Sequence, residues 1–166
     1  MTFNTVIGGP SATSYVSVAS ADEYLNGRED SLPWYDLDSN STGTLSATAR
    51  KQNILIQATR EIDKTFRFYG ERYGDDLKGS EDYQNLEFPR WDDTDADGNE
   101  IIPDEVKYCT YEQALWILVR NSPQTTEGEN VVKLPKFSEQ AYDYIKTMVT
   151  RAVISKNNTP WQGSNF

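Results

Sequence analysis

Histidine is absent from the 166 residues, and cysteine occurs once, at Cys109. Ser-His-Asp and Cys-His nucleophilic catalysis, histidine-based metal centres and an internal disulfide are thereby excluded. Carboxylate, lysine and tyrosine chemistry stay open, but no motif accompanies them. Neither an enzymatic activity nor a cofactor is expected. Cys109 sits beside Val106 and Gln113 in a segment of helical spacing, where a small core residue is expected rather than a reactive thiol. Long apolar runs are missing too: no stretch approaches the ~20 residues of a membrane span. "MTFNTVIGGPSATSYV" lacks a basic region followed by an apolar run, so a reducing cytoplasm and no membrane partner are expected.

Positive charge is scarce. Sixteen Lys and Arg stand against 26 Asp and Glu, a net charge of −10, and the cations are scattered rather than clustered. Nucleic-acid binders usually present a basic face, because phosphate neutralisation supplies most of their affinity. An acidic surface suits a wall past which DNA slides without sticking. Hydrophobic residues are also sparse at 37%, yet aromatics reach 12%. Either the aromatics are partly spent on contacts with other chains, where Tyr, Trp and Phe are enriched, or they form the core of a small polar domain.

The local pattern predicts a mainly α fold. It is a small bundle of about four helices with a short β-hairpin or ribbon and extended terminal arms. Residues 1–14, with Gly8, Gly9 and Pro10, read as an N-terminal arm; 15–155 form the bundle; 156–166 form a C-terminal docking tail. Ser20 with Glu23 suggests a capping box for a first helix that Gly27 stops. Residues 29–44 read as a surface loop carrying Trp34 and Tyr35. Ser46 caps a second helix whose apolar stripe runs through Ile54, Leu55, Ala58 and Ile62 towards Phe66. Two short strands, "LEFPRW" and "NEII", flank an Asp-rich turn within 86–102, with Pro89 marking an edge strand or irregular ribbon. Pro103, Asp104 and Glu105 start a third helix that ends before Pro123. Ser138 begins a fourth, with Ala141, Ile145, Met148, Val149 and Ala152 on one side.

Three constellations bear on function. Asp93, Asp95, Asp97 and Gly98 fit positions one, three, five and six of a calcium-binding loop, with Asp104 at the twelfth. Asp where a bidentate Glu belongs, Glu100 at a usually apolar position and the nearby Pro103 all argue for a solvated turn, with Gly98 supplying positive φ. A calcium-dependent interaction module is the alternative. In "FPRW", Phe88 and Trp91 flank Pro89 and Arg90. That ribbon either offers Arg90 to a carboxylate of a neighbouring subunit or caps the core while Arg90 pairs locally. Tyr69, Tyr73 and Tyr83 beside Arg67 and Arg72 would suit base stacking, against repulsion from Glu71, Asp75, Asp76, Glu81 and Asp82.

The order of these features resembles the head–tail connector (adaptor, or head-completion) proteins of tailed double-stranded-DNA phages. Some members carry the label DnaT-like single-stranded-DNA-binding protein. The resemblance rests on Tyr15, Val16 and Ser17; Ala21, Asp22 and Tyr24; Leu86, Pro89 and Arg90; Asp97 and Gly98; and Ile102 and Pro103. It spans about Ser14 to Asn121, with Phe88 standing where the family usually has Trp. It implies a virion protein at the neck, assembled as a ring of twelve copies beneath the portal. Such a ring binds the portal, extends the DNA channel and gives the stopper or tail a platform, while genomic DNA passes without specific binding. Phe88, Pro89, Arg90 and Trp91 are the candidates for contacts between subunits. Pro160, Trp161 and Phe166 are the candidates for docking on the portal. A single-stranded-DNA-binding replication protein is the alternative that the label implies.

Overall fold

A computed structural model of the chain describes residues 2–39, 45–74, 79–81, 83–121 and 135–152. The fold is mainly helical, as expected, with five α-helices rather than about four and one two-stranded antiparallel sheet among the described residues. Helix α1 (Val18–Leu25) begins three residues earlier than the Ser20 signal suggested. Ser17 is its N-cap, and its hydroxyl accepts the Ser20 amide at 3.1 Å while the Ser20 hydroxyl answers the Ser17 amide. A serine thus plays the part assigned to Glu23, and Ala21 and Leu25 face the core.

The surface loop expected over 29–44 is corrected in its described part. A 3-10 turn (Glu29–Ser31) leads into helix α2 (Leu32–Ser39), with Pro33 in the first turn, where a missing N–H costs nothing. Trp34 is fully buried, and its indole N–H donates to Asp22 at 2.7 Å. The Lys51 ammonium lies 5.2 Å from the same ring, held by Asp22 and Asp38 at 2.9 Å each. One aromatic anchor and one ion-paired lysine fasten a helix that is otherwise scarcely amphipathic.

Helix α3 (Ala47–Thr65) starts at the Ser46 cap, as read from the sequence, and buries Leu55, Ala58 and Ile62. Phe66 ends it and opens strand β1 (Phe66–Phe68). Helix α4 (Asp104–Asn121) follows Pro103, carries Asp104 and Glu105 in its first turn, and packs against α3. Cys109 is buried within it, as the helical spacing predicted. Helix α5 (Glu139–Ile145), capped by Ser138, packs on α4 but is shorter than the helix expected through Ala152. The chain turns after Ile145 and returns as strand β2 (Val149–Ala152), which pairs with β1 (Phe66 with Ala152, Phe68 with Val149) across a bulge.

The hairpin expected over 86–102 also needs correction. Its flanks form no ladder, only isolated bridges between Arg72 and Arg90 and between Thr94 and Glu100. The turn between them is real, and Gly98 takes φ of 82° there. Pro89 has no amide to donate, which keeps the first flank irregular. Residues 2–14 have no regular structure. The Thr13 amide donates to the Asn4 carbonyl and the Asn4 amide to the Thr13 hydroxyl, and Ala12 and Ser14 are buried. The docking tail at 156–166 lies outside the described residues.

Candidate functional site

The segment around the aspartate turn is held from inside by two arginines. Arg90 donates to the Gly70 carbonyl at 2.6 Å and to Glu87 at 2.8 Å, and its guanidinium lies 5.3 Å from the Phe88 ring. Arg72 donates to the carbonyls of Gln84 and Leu86 at 2.8 and 2.9 Å and covers the Tyr83 ring at 4.8 Å. Gln84 ties the same loop through the Leu86 and Pro89 carbonyls. Backbone bonds from Tyr73 to Pro89 and from Trp91 to Glu71 clip the two stretches side by side.

This frame decides where the expected contact residues lie. Phe88 packs in the chain's own core, edge-on to Phe68 at 4.8 Å and to Tyr15 at 5.9 Å. Pro89 and Arg90 are buried with it. Trp91 alone of the four turns outward, 50% exposed. Tyr73 stands 5.2 Å from the Trp91 ring, and Tyr69, across Gly70, is 63% exposed. Of the expected stacking set, Tyr69 and Tyr73 are therefore presented with Trp91, while Tyr83 is covered by Arg72. Arg67 is exposed and donates to the Asp63 and Phe66 carbonyls at 3.1 and 2.9 Å, while Arg72 is committed to carbonyls and to Glu87. Glu71, Glu81 and Asp92 are exposed in the same stretch. Pro160, Trp161 and Phe166 lie outside the described residues.

The aspartates of the turn each have a different task. Asp95 accepts the Asn99 side-chain amide at 3.0 Å and the backbone amides of Asn99 and Asp97 at 2.9 Å, which holds its carboxyl below the usual range. Asp93 accepts the Arg90 amide at 2.7 Å, and partial burial raises its pKa. Asp104 pairs with Lys107 at 2.8 Å. Among the described residues no three Asp, Glu or Cys side chains are gathered as a metal site would require. The calcium reading therefore gains no geometric support.

Sequence reasoning missed a buried carboxylate. Asp63, on the last turn of α3, accepts the Tyr15 hydroxyl and, at 3.4 Å, the Glu87 amide. Burial pushes its carboxyl up to about 7, aided by the Glu87 charge and opposed by the Tyr15 hydrogen bond. Its only sequence signal was an acid beside Ile62, at the edge of an apolar stripe. The group joins Tyr15, α3 and Glu87 of the neighbouring loop, which ties three parts of the fold together.

Residues 1–159 match the family described as "Putative DnaT-like ssDNA binding protein". The chain belongs to that family. No curated protein and no solved structure matches it. The family match covers the two-arginine frame, the Trp91 ledge and nearly all of the described fold.

Proposed function

We propose that this DnaT-like family member is a non-catalytic binding module that takes up single-stranded DNA on the exposed rings of Tyr69 and Trp91, with Tyr73 backing Trp91. The observation that carries the reading is that these large rings stand in solvent on a frame that two arginines hold from within. The family's description supports it. Base stacking tolerates any sequence, because every base has a π-face. Arg67, two residues before Tyr69, is exposed and keeps its charge for phosphate while its guanidinium donates to the neutral Asp63 and Phe66 carbonyls. Binding should be weak and salt-sensitive, since the acids of the same stretch repel phosphate. The test is fluorescence anisotropy with labelled oligothymidylate at low and physiological salt. Trp91→Ala and Tyr69→Ala should each weaken binding roughly tenfold, in line with about 1–3 kcal/mol per stacked base. Parent-like affinity in both variants, or no binding at low salt, would overturn the reading.

A second reading is favoured by the charge. At −10 overall, the chain also spends Arg28, Lys51, Arg72, Arg90 and Arg120 on internal carboxylates. Such a surface suits a connector ring under a portal, self-assembled in twelve copies, with tail or stopper proteins on its far side. Its place would be the virion neck, with DNA passing through unbound and Pro160, Trp161 and Phe166 reaching the portal. Mixing the protein with a portal ring and sizing the complex tests this. Failure to associate, together with oligothymidylate binding, would remove it.

A further inference from the structure

A groove of about 490 Å³ runs between residues 5–7 and α1 on one side and the start of α4 on the other. It shares no residue with the Trp91 ledge. Its floor is aromatic: the Tyr24 ring stacks 4.6 Å from Tyr111 and 5.3 Å from Tyr108. Its lip is aliphatic, for Ile7, 45% exposed, lines it together with Ile102. Its charged wall is acidic. Glu23 and Asp104 line it, and the cation among its lining residues, Lys107, is already paired with Asp104 at 2.8 Å.

From these three properties we infer that the groove is a docking site for a segment of another protein that presents an arginine or lysine next to an aliphatic residue. The tyrosine faces attract a cation through their quadrupoles. The same cluster already does so internally, since the Arg28 guanidinium lies 5.2 Å over the Tyr24 ring. Glu23 and Asp104 complete the charge match, and Ile7 receives the aliphatic neighbour. A phosphate backbone is disfavoured by the same acids, and a second copy of this chain brings a net charge of −10 to an acidic wall.

The test uses the full chain and a labelled, end-capped peptide containing two arginines and two leucines. Controls are the same peptide with glutamates for the arginines, and labelled oligothymidylate. The arginine peptide should bind and shift the backbone amide signals of Ile7 and Tyr108. The Glu23→Gln, Asp104→Asn double variant should weaken binding roughly tenfold, as the loss of a cation's partners implies. Ile7→Ser, at an exposed position on the lip of the groove, should weaken it as well. The inference is overturned if the glutamate peptide binds equally, if oligothymidylate shifts the same amides, if the protein self-associates through them, or if the variants bind like the parent.

Discussion

Asp63 gives a residue-scale handle on the whole domain. Its folded pKa of about 7 lies above the ~3.9 of an exposed Asp, so the folded state binds the proton more tightly. The stability it contributes is fully present below pH ~4 and is lost as pH rises through 7. With no histidine in the chain, few other groups titrate in that window. Chemical denaturation at pH 5 and pH 8 should show the parent losing roughly 2–3 kcal/mol between them, while Asp63→Asn holds nearly constant. An equally steep pH dependence in the variant would place the effect elsewhere. Trp34 is the second such residue. It is fully buried, and it joins α2 to Asp22 and to Lys51 on α3. Trp34→Ala should cost about 3–5 kcal/mol in urea unfolding, whereas the loop first expected there would have tolerated the change.

At the scale of elements, legibility follows how local the cause is. Helices α3 and α4 were readable because their signals lie within them: the Ser46 cap, the stripe ending at Ile62, and Pro103 followed by two acids. Helix α2 was not, because its polar sequence owes its order to Lys51 and Asp22, which the chain brings from elsewhere. Strand β2 was read as helix because Ile145, Met148, Val149 and Ala152 also fit a helical face. Its partner, β1, lies some eighty residues away, and no local pattern encodes that pairing. The site divides in the same way. The aromatics of 69–91 were visible, but which of them face solvent depended on two arginines turning inward. Capping offers a direct check on the corrected α1 start. Ser17→Ala removes the acceptor for the Ser20 amide and should cost about 1 kcal/mol. Glu23→Ala should cost far less, and the reverse order in urea melts would restore the Ser20 assignment.

The whole molecule is governed by its charge. Five cations are consumed in internal pairs while most acids stay outside, so self-repulsion works against the compact state. Raising sodium chloride from ~10 to ~150 mM shortens the Debye length from ~30 to ~8 Å. The melting temperature should rise over that range. A fall would mean that the internal ion pairs, not the surface field, dominate the electrostatics.

The β1–β2 pairing has a consequence for synthesis. A ribosome delivers Phe66 to Phe68 long before it delivers Val149 to Ala152, so β1 waits with an open hydrogen-bonding edge and two phenylalanines awaiting their cover. Unpaired strand edges of that kind recruit other chains. A message truncated between codons 146 and 149 should therefore yield insoluble product even though β1 and all five α-helices are encoded. Supplying the missing strand as a peptide during translation should restore solubility.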